Sequence, residues 1–309
     1  MFSAAAVEDA VSPAQALDAV RDAFVAHALG DWTMPPKVYV TNYPAGDFRA
    51  MPAMGRGRAL LKWINSFPGN PSRGLPTVSG VVLVSDADDG RLLALLDAGA
   101  VTALRTGAAA VLAAELLGRA DARSAAVVGV GVNGRAAART FVARGRDVVL
   151  WDVDAERARR VADEIGGAVA ASEADALAAD LLVTVTPGHS VVLDEGSLQP
   201  GQHVSLMGAD GPGKAEVATP ELTRARLFCD DWEQASHGGE LAHAVESGVV
   251  SRDDVTEIGA VLTGDEAGRR GDDEITLFDS TGLAIQDLAI ALAALDAVGD
   301  ANELPSFEL

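Results

Sequence analysis

The stretch Ser124–Gly134, SAAVVGVGVNG, constrains this chain more than any other. Four apolar residues, Ala125–Val128, break into Gly129, Val130, Gly131, Val132, Asn133 and Gly134, and the run Arg135–Arg144 behind them has helical character. Strand, tight turn and helix start, in that order, are the fingerprint of a dinucleotide-binding turn. The first glycine allows the turn, the second lets the backbone approach a diphosphate, and the third lets helix pack on strand. The diphosphate sits at a helix N-terminus, where free N–H groups and the helix dipole favour negative charge. Gly129, Gly131, Val132, Asn133 and Gly134 are therefore candidate cofactor contacts.

A glycine triplet alone is a weak signal in a chain with 32 glycines, so the test is a second strand ending in an acid. Asp147–Asp152, DVVLWD, meets it, with Asp152 lying 23 residues beyond Gly129. The ribose-binding acid is expected about 20 residues on. A carboxylate there accepts from the ribose hydroxyls and repels a 2′-phosphate. With Asp154 two residues later, the pattern favours NAD over NADP. Arg157, Arg159 and Arg160 are the counter-signal, read here as the solvated face of the next helix.

With 309 residues the chain has room for two domains. The expected boundaries are a substrate and dimerisation domain, 1–118 with 285–309, around a nucleotide domain, 119–284. No run is read as reaching the roughly 18 apolar residues of a membrane helix, and the N-terminus lacks the basic start of a secretory signal. A cytoplasmic protein without a membrane partner is expected. Cys229 is the only cysteine, which excludes an internal disulfide and a cysteine-based zinc site. The net charge of −21 argues against nucleic acid; it suits a heavily solvated surface working at high salt, as in a salt-loving organism. Only Lys37, Lys62 and Lys214 are lysines, and the other 21 basic residues are arginine. A compact ammonium kept where guanidinium is the rule marks these three as candidates for function.

In chain order, Pro13–Leu29 reads as a helix opened by Ser12 and proline. Lys37–Thr41, Phe48–Met51, Ala59–Ile64, Thr77–Ser85 and Arg91–Leu96 read as strands, and Ala100–Leu117 as a helix. Strands and helices alternate from Ser124 onward, which implies a Rossmann-type, doubly wound parallel sheet beside a discontinuous α+β domain. Gly282–Val298 is apolar almost all round and reads as a buried helix that rejoins the N-terminal region. The histidines His189, His203, His237 and His243 show no metal-ligand spacing, so no metal is expected.

Four further segments gather polar residues: MPPK with Arg49 downstream, LKWINSFPGN with Lys62, TALRTG with Arg105, and MGADGPGKAE with Asp210. Together with GLPTVSG, ALRTGAAA, GVGVNG, VTVTP, CDDWEQA, GGEL and LFDSTGLAIQDLA, they make the chain resemble the ornithine cyclodeaminase/mu-crystallin family along nearly its whole length. That family also contains archaeal alanine dehydrogenases and ketimine reductases.

The resemblance implies that Lys37, Lys62 and Arg105 hold a substrate carboxylate, that Thr77 lines the substrate pocket, and that Lys62 also belongs to the catalytic set. It implies that Asp210 is the catalytic proton donor and acceptor, and that Thr106 with the turn Thr184, Thr186 and Pro187 holds the nicotinamide half. Asn133 stands where many members have glutamine. Ornithine-cyclising members carry a glutamate three residues before the Met-Pro proline, where this chain has Arg49, a cation that would repel a side-chain ammonium and grip a carboxylate. The expected activity is thus NAD-dependent interconversion of a small L-amino acid and its imino or 2-oxo acid, as in alanine dehydrogenase. The alternatives are ornithine cyclodeaminase, which recycles NAD internally, and a non-catalytic, mu-crystallin-like binding protein. Because family members pair through the non-Rossmann domain, a homodimer is expected.

Overall fold

The computed structural model describes residues 1–188, 190–211 and 213–298. His189 and the stretch 299–309 of the expected first domain therefore lie outside the described residues. The chain forms two compact units, 1–105 with the helix that begins after Leu283, and Thr106–Gly282.

In the first unit five antiparallel strands follow one another in order: β1 (Val38–Asn42), β2 (Gly46–Gly55), β3 (Arg58–Ser66), β4 (Val78–Asp86) and β5 (Leu92–Asp97). Alternation decides which side is covered. Leu60, Lys62 and Ile64 of β3 are buried, whereas Leu61 and Trp63 between them are exposed. The covered face lies under the helix Ala284–Val298, against which the helix Pro13–Ala28 packs in turn. Ser12 caps the first through a capping box with Gln15. The second is buried from Ala284 through Leu292, including the polar Gln286 and Asp287.

In the second unit eight strands form one parallel sheet: β6 (Ala125–Val128), β7 (Val149–Trp151), β8 (Ala168–Val169), β9 (Leu181–Thr184), β10 (His203–Leu206), β11 (Arg226–Cys229), β12 (Val255–Glu257) and β13 (Thr276–Asp279). The spatial order is β12-β11-β13-β10-β9-β6-β7-β8. Order reverses between β6 and β9, the switch point at which such sheets bind ligands outside the strands' carboxyl ends. β13, not anticipated from sequence, enters between β10 and β11.

Two expectations need correction. The unit boundary falls at Arg105 and Thr106 and not at residue 118, because the later part of the helix Ala98–Leu117 packs with the parallel sheet. A Cβ on Gly107 would come within 2.6 Å of the Ala136 backbone, and Ser205 Oγ donates to the Ala110 carbonyl at 2.9 Å. The same helix is long and apolar enough to cross a membrane, contrary to the sequence reading, yet 83% of its most apolar window is buried inside the fold. It is a core helix. The close contact at Gly107 makes Gly107→Ala a test of that packing. The variant is expected to lose roughly 1–3 kcal/mol, measured by urea unfolding.

Candidate functional site

In the second unit the glycine fingerprint forms the predicted turn. Gly129 has φ +88°, and a Cβ there would meet the Val185 carbonyl at 2.5 Å. A Cβ on Gly134 would lie 1.9 Å from the Gly129 carbonyl, so the helix Val132–Ala143 can close on β6 only with glycine there. Gly131 is different: nothing lies within 4 Å of its added Cβ. Gly131 is also that helix's N-cap, with no side-chain cap bond, and Val132 beside it is 71% exposed. Open space above uncapped N–H groups is what a diphosphate requires.

Asp152 follows β7 directly and faces inward. Its Oδ2 accepts from the Val130 N–H at 2.7 Å and its Oδ1 from the Asp154 N–H at 2.8 Å, and Arg157 Nη1 lies 3.3 Å away. The acid thus anchors the glycine turn itself. Arg157 turns out to stand on Asp152, where the sequence reading had placed it on a solvated face. Asp154 caps the following helix through the Arg157 N–H.

The turn after β9 lies beside the glycine turn: the Val185 N–H donates to the Val128 carbonyl at 2.8 Å. Thr184 is fully buried, Thr186 half-buried and Pro187 exposed. Thr106 Oγ1 is buried without a hydrogen-bond partner among the described residues, an orphan hydroxyl of the kind a ligand satisfies. The loop after β10 carries Asp210, half-buried, whose Oδ1 accepts from Lys214 Nζ at 2.6 Å. Lys214, singled out by the scarcity of lysine, thus belongs with the candidate catalytic acid. Glu216 in the same loop is fully buried. Sequence reasoning passed over it, though it stands in the quoted GADGPGKAE motif.

In the first unit the sheet's covered face gathers the cations. Lys62, 1% exposed, donates to Asp287 Oδ1 at 2.8 Å, and Arg105 Nε lies 3.7 Å from the same oxygen. Arg105 Nη1 reaches Gln286 Oε1 at 3.4 Å. Burial, partly offset by Asp287 and reinforced by Arg105 and Arg49, lowers the Lys62 ammonium to about 8. Arg49 is held by Asp47 (2.7 Å) with its guanidinium over the Tyr39 ring. The register pairs Val38 with Ala50 and Met51 with Lys62. Continued one residue, it sets Lys37 in the row of Lys62, roughly 10 Å away across two strands. Thr77 stands apart, just before β4, about 16 Å along that strand from Val82, the partner of Lys62.

Three cations, Lys62, Arg105 and Arg49, thus face two carboxylates, Asp287 and Asp47. Arg105 Nε, Gln286 Nε2 and Asp287 Oδ2 are buried with no hydrogen-bond partner among the described residues. Asp287 was missed as a site residue, though a carboxylate on an otherwise apolar helix was its signal: a buried charge needs a partner.

The second unit is thus a dinucleotide-binding Rossmann fold, and the first a sheet presenting buried cations. The chain belongs to the ornithine cyclodeaminase/mu-crystallin family, whose model matches residues 1–302. It is 42% identical over 295 residues, 92% of this chain and 90% of the relative, to an alanine dehydrogenase of Archaeoglobus fulgidus. An archaeal alanine dehydrogenase dimer with bound NAD superposes with a TM-score of 0.91 at 40% identity, covering 96% of this chain and 95% of that one. The iminosuccinate reductase of Paracoccus denitrificans, solved with NAD+, gives a TM-score of 0.88 at 28% identity, covering 96% and 95%.

The two glycines separate fold from function. Gly131→Val is expected to leave thermal unfolding unchanged while weakening NADH binding about tenfold or more, since it fills only the open space over the helix N-terminus. Gly134→Ala is expected to lower the unfolding temperature, because its methyl group collides with backbone. Fluorescence titration and thermal melts check the pair.

Proposed function

We propose that this protein is an NAD-dependent oxidoreductase that interconverts a small L-amino acid with its imino or 2-oxo acid, as an alanine dehydrogenase does. The observation that carries the reading is the convergence of two cations, Lys62 and Arg105, on Asp287, with Arg105 Nε left without a hydrogen-bond partner among the described residues, an arrangement that suits one carboxylate. A guanidinium offers that carboxylate a planar fork and an ammonium offers it a point charge. The unpartnered Arg105 Nε is a donor waiting for an acceptor. Arg49 in place of an acid argues against ornithine, whose second ammonium it would repel.

NAD, when bound, supplies the hydride acceptor. The glycine turn would hold its diphosphate, and Thr106, Thr184 and Thr186 its nicotinamide half. Asp210 would take a proton from the amine or from attacking water, with Lys214 holding the carboxylate in place. The balance is amino acid, NAD+ and water giving oxo acid, ammonium, NADH and a proton.

NADH absorbance is expected to fall with pyruvate and ammonia, and Asp210→Asn to lower kcat at least about a hundredfold. Ammonia release from ornithine without net NADH change would instead support the cyclodeaminase. KM for the oxo acid is expected to rise as pH climbs through about 8, where Lys62 gives up the charge that holds the carboxylate. A flat KM from pH 7 to pH 9 would remove Lys62 from that role.

The sheet's uncovered face supports a homodimer. Val38, Val40, Leu61, Trp63 and Leu93 are large, apolar and exposed on it, a patch of the kind that marks an interface. Leu61→Asp with Trp63→Arg is expected to convert a dimer to a folded monomer in sedimentation velocity. The charge of −21 supports a cytoplasmic setting at high salt.

A further inference from the structure

The Glu216 carboxylate is fully out of water, and each of its hydrogen-bond contacts is with a donor. Its Oε1 accepts from the Thr186 N–H at 2.7 Å, and its Oε2 from Thr184 Oγ1 and the Gly208 N–H, both at 2.8 Å. The Thr186 hydroxyl adds a further bond. Two separate segments converge on this one group: the turn after β9, and the loop after β10 that carries Asp210. Beyond Thr184, the last residue of β9, neither segment has a strand or helix of its own to hold it. The junction is tight, since a Cβ on Gly208 would come within 2.5 Å of both the Glu216 carboxyl carbon and the Thr186 carbonyl.

We propose that Glu216 is a positioning residue for hydride transfer, locking the nicotinamide-side turn and the Asp210 loop into one geometry without touching substrate or cofactor. The inference rests on the reading proposed above, in which those two segments serve nicotinamide and proton transfer. Sheet order supports it independently of any relative. With the diphosphate at the turn after β6, one half of a dinucleotide lies toward β7 and the other toward β9 and β10. The Glu216 bonds join the segments on that second side.

The group also has to be a carboxylate. Gln in its place turns one oxygen into an NH2 that faces N–H or O–H donors, leaving at least one of them buried and unsatisfied. A second buried acid maintains the arrangement: Glu240 Oε1 accepts from the Glu216 and Val217 N–H groups at 2.7 Å each. Burial and the neighbouring Glu216 push Glu240 well above the carboxylate range. Burial raises Glu216 as well, against the pull of the donors around it.

Glu216→Gln tests the proposal through two ligands. ADP-ribose occupies only the adenosine and diphosphate part of the site, whereas NADH also occupies the nicotinamide part. Expected are an ADP-ribose affinity within about twofold of the natural protein, NADH affinity weakened about tenfold, and kcat lowered about a hundredfold with a smaller change in oxo-acid KM. Equal weakening of both ligands, or an unchanged ratio between them, would overturn it. Should the variant not fold, hydrogen exchange on the natural protein decides. The Thr186 and Gly208 amides are expected to be as protected as those of β9 and β10, and loop-like exchange at either would overturn the clamp. Absence of turnover with every oxo acid would sink the activity reading, while the ligand ratio would still decide the role of Glu216. Failure of the natural protein to bind NADH would overturn both.

Discussion

Backbone meets backbone at van der Waals distance where β6 gives way to its helix, and the nucleotide half of the molecule depends on that approach. Gly134 has no room for a methyl group against the Gly129 carbonyl, and Gly129 has none against Val185. These contacts draw the helix N-terminus and the turn after β9 onto the same edge of the sheet. The inward-facing Asp152 completes the junction by accepting from the Val130 N–H. A charged side chain is thus part of the scaffold of the turn, which explains why a buried acid stands at a strand end that is otherwise hydrophobic.

Buried charge is the second organising principle. Lys62 projects from a covered strand face onto the buried part of a helix whose polar side chains there are Gln286 and Asp287. Such a pair adds little stability compared with packed hydrophobic side chains, because desolvation offsets the Coulomb gain. Under the activity proposed above, its place at the centre of the first unit is preorganisation: the cations would be fixed before a carboxylate arrives. The four donors around Glu216 repeat the logic in the second unit, with the sign of the charge reversed.

The parts of the fold that announced themselves in sequence are those with strong periodicity. The strand of alternating Leu60, Lys62 and Ile64, the capped helix at Pro13 and the glycine turn were each legible from their own residues. β13 was not, because TLFD is four residues long, ends in an acid and runs at once into Ser280, Thr281 and Gly282, which read as a loop. The site divided in the same way. Lysine scarcity and the motifs drew attention to Lys62, Arg105 and Asp210, while Asp287 and Glu216 stayed hidden because their partners are 225 and up to 32 residues away in sequence. Burial with a distant partner leaves no local pattern to read.

The shortage of lysine has a practical chemical corollary. Lys62 is sealed beneath the sheet and Lys214 is a quarter exposed beside Asp210. An acylating or cross-linking reagent that seeks primary amines therefore finds few targets on this surface, and one of them lies in the Asp210 loop. Immobilising the enzyme through its lysines would tether it by that loop or by the half-buried Lys37, whereas carboxylate coupling would spread the attachment over an acid-rich exterior.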